Sequence, residues 1–244
     1  KQKTAYEMLR SLVGSEMCIR DRGCNFRCWY CHNPELVPVP GIPQPWLVGW
    51  RAVAEFLTRR RGLLQAVVFS GGEPTLQQDL AETLAAVRAW GYRTKVDTNG
   101  SRPEVLEDVV RRRLVDFIAM DVKAPLRMYA SAAGVPVDTD AIAASIRIIR
   151  DSGIAHQFRT TYGRDPGFPF DLAEVFALTG DPEHHIVQPF RIPTGKPILR
   201  EARRTPSDLS YQSMSGEIKT HGEDLSLIHI SEPTRLLSIS YAVF

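Results

Sequence analysis

The chain has 244 residues, 43% of them hydrophobic and 24% charged, with a formal net charge of +2. That is globular composition, long enough for one large domain with its own core. It excludes a disulfide scaffold and a transmembrane helix, since only four cysteines are present and no apolar run nears the roughly 18 residues of a span, and the near-neutral charge gives no reason to invoke nucleic acid.

In chain order, residues 1–22 open without an apolar signal core, and a reducing cytoplasm is the expected setting. Residues 11–22 (Ser-Leu-Val-Gly-Ser-Glu-Met-Cys-Ile-Arg-Asp-Arg) and 226–235 (Ser-Leu-Ile-His-Ile-Ser-Glu-Pro-Thr-Arg) read as translated sequencing-library adapter. Both ends are therefore expected to be foreign. This divides the chain into a foreign segment 1–22, a domain over 23–205, a C-terminal extension over 206–225 and a foreign tail over 226–244. Cys18 falls in the set-aside part.

The other three cysteines, Cys24, Cys28 and Cys31, sit within eight residues in a Cys-x3-Cys-x2-Cys loop, with Tyr30 just before the last. A cubic [4Fe–4S] cluster normally takes four thiolates, one per iron, so three would leave one iron open for a ligand. The competing use is a zinc site of Cys24, Cys28, Cys31 and His32. Against it, His32 directly follows Cys31, and adjacent residues rarely reach one tetrahedral ion.

Ala66–Ser70 is an apolar, β-branched run ending in Gly71-Gly72, which predicts a buried strand entering a tight turn. The two glycines allow close backbone approach, and Glu73 offers a carboxylate to an ammonium group. A helix is predicted over Gln77–Trp90, with Leu80, Ala81, Leu84 and Val87 at helical spacing, and Gly91 ends it. Tyr92–Asp97 predicts a strand closed by Asn99-Gly100. Pro103 opens a helix carrying Val105, Leu106, Val109 and Val110, and Arg111-Arg112-Arg113 reads as its solvated C-terminus.

Strands follow at Val115–Val122, Ala155–Thr161 and His184–Phe190, with helices at Asp140–Arg150 and Asp171–Leu178. Alternating strands and helices imply a parallel sheet with its site at the carboxyl ends of the strands. Asp97, Asn99, Asp121, Lys123 and Arg159 fall at such ends. For Asp97 and Asn99 a turn role is the stronger expectation. Asp121 and Lys123, two apart, share one face and either clamp a nucleoside ligand or pair with each other. His156, His184 and His185 are expected at the surface or core edge.

These strings together resemble the glycyl-radical-enzyme activating proteins of the radical S-adenosylmethionine (SAM) superfamily, above all the activator of anaerobic ribonucleoside-triphosphate reductase. The resemblance rests on Gly23–Val37, Ser70–Gln77, Asp97–Ser101, Ala119–Pro125 and Phe158–Thr161, and extends from about Gly23 to about Gly195. Trp29 stands where that family often has proline. The resemblance implies a partial (β/α)6 barrel of the TIM type whose first strand, expected just before Cys24, is replaced or missing. It implies a [4Fe–4S] cluster on Cys24, Cys28 and Cys31, and SAM contacts from Tyr30, Gly71, Gly72, Glu73, Asn99, Asp121, Lys123 and Arg159. Reductive cleavage of SAM would give a 5′-deoxyadenosyl radical that takes hydrogen from a glycine of a partner enzyme, with flavodoxin or ferredoxin as electron donor. The alternatives are a pyruvate formate-lyase-type activator, a small-molecule enzyme such as 7-carboxy-7-deazaguanine synthase, or a zinc-stabilised binding module.

Overall fold

The computed structural model describes residues 16–37, 48–163 and 169–190, and the backbone of 237–241. The order is β1 (Glu16–Asp21), α1 (Trp50–Arg59), β2 (Ala66–Gly71), α2 (Leu80–Ala89), β3 (Arg93–Thr98), α3 (Pro103–Arg111) and β4 (Phe117–Asp121). Then come α4 (Tyr129–Ala133), α5 (Thr139–Asp151), β5 (Ala155–Tyr162), α6 (Leu172–Thr179), β6 (His185–Pro189) and β7 (Leu237–Tyr241). All strands are parallel, in the order β6-β5-β4-β3-β2-β1-β7. Strands β1 to β6 therefore stand side by side in chain order, the wall of a partial (β/α)6 barrel. The described residues show no β6–β7 pairing, and the wall stays open there.

Burial explains the strand sequences. In β2, Ala66 to Phe69 are all buried, and in β4 Phe117 to Met120 likewise, as expected of parallel strands covered on both faces. In β3 and β5, one face buries Thr94, Val96 and Thr98, or His156, Phe158 and Thr160. The other face carries Lys95 and Asp97, or Arg159 and Thr161, only half-buried. The core lies between the sheet and the helices, where Leu84 and Val87 of α2, Leu106 and Val109 of α3, and Ile142, Ile146 and Ile149 of α5 are all buried. Asp138 caps α5 and Asp171 caps α6 by accepting backbone N–H bonds.

Two expectations need correction. Residues 1–22 do not lie wholly outside the fold: Glu16–Asp21 forms β1 and pairs with β2 from Glu16↔Ala66 to Asp21↔Gly71. The physical reason is that Met17 and Ile19, two apart, bury completely against the core. The first strand's place is thus filled. Part of the set-aside tail, Leu237–Tyr241, lies parallel to β1 on its other side. The extension 206–225 and the rest of the tail fall outside the described residues.

Helix α1 is the second correction, an addition in a stretch given no element. It buries only Val53 and Leu57, too sparse a stripe to stand out in sequence. It is held instead by tertiary contacts: Tyr92 Oη donates to the Leu57 carbonyl at 2.7 Å, and Trp50 stacks on Trp90 with ring centroids 5.9 Å apart.

The fit of β1 has one flaw. The Asp21 side chain is buried, and its Oδ1 has no hydrogen-bond partner among the described residues. Burial, with Asp79 and Glu73 nearby, pushes its carboxyl well above the usual range. A carboxyl raised in the fold binds its proton more tightly there than in the unfolded chain. It therefore costs stability as pH rises past its unfolded value of about 3.9. Asp21→Asn is expected to stabilise the fold by about 1–3 kcal/mol at pH 7 and to give no gain below about pH 4. Urea denaturation at the two pH values checks this.

Candidate functional site

The carboxyl ends of β1 to β6 surround one cavity. It is lined by Cys24, Cys28 and Cys31, by Gly71, Gly72 and Glu73, and by Asn99, Asp121, Lys123 and Arg159. Tyr30, His32, Asp97 and Gln188 also line it. All the site residues expected from sequence thus meet in one place. Cys18, buried on β1, does not reach it.

The cysteine loop begins at Gly23, whose positive φ of 97° turns the chain out of β1. Its entry is pinned on both sides. Gly23 N donates to the Leu36 carbonyl at 2.9 Å, and the Gly23 carbonyl accepts from Glu73 N at 2.8 Å. Gly72 N donates to the Asp21 carbonyl at 2.8 Å, and Gln77 Nε2 to the Arg22 carbonyl at 3.0 Å. Farther along, Arg27 N donates to the Ala133 carbonyl at 2.7 Å, and Phe26 meets Tyr129 edge-on at 6.4 Å, so α4 backs the loop. Trp29 packs edge-on against Tyr30 and Phe190, at 5.3 and 5.2 Å.

The glycine pair, besides lining the cavity, has a packing role. A Cβ on Gly72 would sit 1.9 Å from the Gly23 carbonyl oxygen, and one on Gly71 2.4 Å from the Asp21 backbone. The close approach these glycines permit is therefore backbone to backbone, seating the cysteine loop on the end of β2.

Glu73 is buried and already engaged. Its Oε1 accepts from Thr75 N, Thr75 Oγ1 and, at 2.7 Å, Thr98 Oγ1, while Oε2 accepts from Asn99 N at 2.6 Å. Burial raises its pKa, and these donors oppose the rise. The carboxylate so fixed joins β2 to β3, with Oε2 keeping acceptor capacity. Asn99 passes the connection to the loop, donating to Asn25 Oδ1 at 2.9 Å and approaching Cys24 Sγ at 3.8 Å.

Opposite lies a chain of charges. Lys123 Nζ is 3.0 Å from Asp121 Oδ2, and Arg159 Nε 2.7 Å from Asp121 Oδ1. Arg159 Nη1 reaches Asp97 Oδ2 at 3.4 Å, and Lys95 Nζ is 3.2 Å from Asp97 Oδ1. Of the two expectations for Asp121 and Lys123, direct pairing is present, and it lies inside the cavity. Burial alone would raise the Asp121 carboxyl, but Arg159 and Lys123 outweigh it and hold the group well below its usual value. Burial would lower Lys123 and Arg159, and the carboxylates outweigh it, so both stay charged. Asp97 is the correction here. It is a member of this network rather than a turn residue, and it also accepts from Ser70 Oγ at 3.3 Å. The signal lay in the two-residue spacing of Lys95 and Asp97, the same pattern read for Asp121 and Lys123.

Burial pushes the Cys24 thiol up to about 12, with Glu73 adding to the rise, and the Cys28 thiol up to about 11. Any metal taken up here must displace these protons. Cys24 Sγ already accepts from Phe26 N at 3.3 Å, the kind of bond that tunes a thiolate-held cluster. In a tetrahedral zinc shell, ligand sulfurs would stand roughly 4 Å apart. Among the described residues, the His, Cys, Asp and Glu side chains whose ligand atoms all converge within 4.8 Å are His156, Asp181 and His184. Cys24, Cys28 and Cys31 line the cavity with no fourth cysteine beside them, a donor set that fits an iron–sulfur cube with one iron left open.

A model of the Radical SAM superfamily matches residues 19–172. The chain is 28% identical over 186 residues to a protein of Methanocaldococcus jannaschii provisionally named a glycyl-radical enzyme activating enzyme, covering 69% of this chain and 70% of that one. It is 31% identical over 113 residues to the pyruvate formate-lyase-activating enzyme of Clostridium pasteurianum, covering 42% and 43%. The crystal structure of Streptococcus suis SuiB bound to S-adenosylmethionine aligns with a TM-score of 0.57 at 15% identity, over 79% of this chain and 45% of that one. That likeness speaks for the fold. No helix among the described residues is long and apolar enough to cross a membrane. With the family model running from within β1 through β5 to the first residue of α6, and a three-cysteine cavity at the barrel mouth, the chain belongs to the radical SAM superfamily.

Proposed function

We propose that this chain activates a glycyl radical enzyme, anaerobic ribonucleoside-triphosphate reductase in particular, in an anaerobic cytoplasm with flavodoxin or ferredoxin as electron donor. The observation that carries this reading is the meeting of three thiols, the Gly71-Gly72-Glu73 turn and the Asp121–Arg159 charge chain in one cavity. Cys24, Cys28 and Cys31 would hold a [4Fe–4S] cluster, leaving one iron open. The cluster, when bound, supplies the electron that breaks a C–S bond of SAM and leaves a 5′-deoxyadenosyl radical.

The protein's own part is binding, orientation and exclusion of water. Glu73 is fixed by Thr75, Thr98 and Asn99, so it can accept an ammonium group without reorganising. Lys123 and Arg159 stay charged at physiological pH and would neutralise a carboxylate or anchor a ribose beside Asp121. Tyr30, packed against Trp29, would give the adenine an aromatic wall. Glycine suits the hydrogen donor because its Cα carries no Cβ to shield it.

The test mixes reconstituted protein, SAM and reductant with the anaerobic reductase and follows the glycyl radical by electron paramagnetic resonance. A glycyl doublet is expected. Cleavage of SAM with no doublet on this reductase or on pyruvate formate-lyase would move the substrate to a small molecule. As a check on binding, Arg159→Met frees Asp121 and Asp97 of their shared cation. It is expected to raise the KM for SAM at least about 10-fold, the effect of about 1.4 kcal/mol of lost binding, with iron content unchanged.

A further inference from the structure

At the opposite end of the sheet, three side chains outside the cavity converge. His156 is the second residue of β5, Asp181 precedes the short turn Pro182–His184 that leads into β6, and His184 ends it. His156 Nε2 lies 2.8 Å from Asp181 Oδ2, and His184 Nδ1 lies 2.8 and 3.0 Å from the two Asp181 oxygens. The two imidazole centroids are 5.1 Å apart.

The other ring nitrogen of His156 decides what this cluster is. His156 Nδ1 stands 2.9 Å from the Ile154 carbonyl, which can only accept. Nδ1 therefore carries the proton, and in the neutral ring Nε2 turns a lone pair toward a carboxylate oxygen. Lone pair faces lone pair, an arrangement that needs a positive charge between them. A proton on His156 alone would serve that one contact, with His184 a neutral Nδ1–H donor to Asp181. A single dication would satisfy both imidazoles and the carboxylate at once. The His156–Ile154 bond is also what a metal-ligating histidine normally makes with its second nitrogen.

His185, next in the chain, shows what a merely structural histidine looks like here. Its Nε2 meets Thr160 Oγ1 at 2.8 Å and its Nδ1 meets Thr179 Oγ1 at 3.1 Å, so hydroxyls satisfy both nitrogens.

We propose that His156, Asp181 and His184 form a second metal site, taking a divalent cation of the zinc class that fastens the start of β5 to the α6–β6 connection. Two imidazoles and one carboxylate with a water in the fourth position is a shell zinc accepts. Ligands about 2.0–2.1 Å from zinc stand roughly 3.4 Å apart. The two His–Asp distances need open by only about half an ångström, and the three ligand atoms already lie within 4.8 Å of one another, so a small rotation of the part-exposed His184 ring would complete the shell. Nothing in this site touches the thiol cavity, so it stands or falls apart from the proposed activity.

The test is equilibrium dialysis of the cluster-loaded protein against buffered zinc, with zinc and iron measured in the same sample. One zinc per chain beyond the cluster iron is expected. His184→Ala and Asp181→Asn are each expected to weaken that zinc by at least about 10-fold while leaving iron unchanged. His184 is the safer variant, because its side chain is 39% exposed and bears on no core packing. Absence of the extra zinc in the unaltered protein, or zinc retained equally by folded His184→Ala, would overturn the proposal.

Discussion

Alanine in place of Cys24, Cys28 or Cys31 is expected to lower iron retention by more than about 100-fold, beyond what loss of an outer-sphere partner costs a metal site, and to end SAM cleavage with it. Each thiol is one corner of the donor set, and the described cavity offers no further cysteine to replace it. The control is Cys18→Ala. Cys18 is as buried as Cys28, and burial likewise pushes its thiol up to about 11. It sits on β1 away from the cavity, so its loss is expected to cost about 1 kcal/mol of packing and no iron. Iron and sulfide analysis of the four variants checks this. Full iron in a Cys28→Ala protein would remove the thiols from the cluster.

Gly72→Ala is expected to be a highly damaging change that removes no thiol and no charge. The added Cβ would lie 1.9 Å from the Gly23 carbonyl oxygen and 2.6 Å from its carbon. Both are backbone atoms, held in place by the Glu73 and Leu36 bonds at the root of the cysteine loop. Neither can swing aside like a side chain, so the β2 end and the loop must separate. The expected cost is about 3 kcal/mol, at the upper end for overpacking, with the cluster lost more readily because Gly23 precedes Cys24. Gly49→Ala, where a Cβ would meet nothing within 4 Å, is expected to stay within about 0.5 kcal/mol of the unaltered chain. Equal urea midpoints for the two variants would contradict this account of the turn.

Much of the site was legible because its chemistry sits in short strings. Cys24, Cys28 and Cys31 share one loop, Gly71 to Glu73 share one turn, and Asp121 and Lys123 stand two apart at one strand end. What stayed hidden is non-local. That Gly72 presses on Gly23 follows from β1 pairing with β2 in register, Asp21 opposite Gly71. That Glu73 is held by Thr98 and Asn99 follows from β3 lying next to β2. His156 and His184 are far apart in sequence and meet only because β6 pairs with β5.

The same holds for the fold. The strand–helix alternation from Ala66 to Phe190 is strong because β2 is apolar from Ala66 to Phe69, β4 from Phe117 to Met120, and α5 carries Ile142, Ile146 and Ile149 on one face. Residues 11–22 resemble adapter sequence, yet the Met17–Ile19 alternation within them suits the edge beside β2. Asp21, buried with an unpartnered oxygen, marks where that fit is poor.

The most direct measurement of the central claim is anaerobic reconstitution of the protein with iron and sulfide, followed by SAM and dithionite, with 5′-deoxyadenosine and methionine quantified. The account predicts a brown protein that forms both products only when reductant is present. A colourless protein that takes up zinc at its cysteines and leaves SAM intact would contradict it.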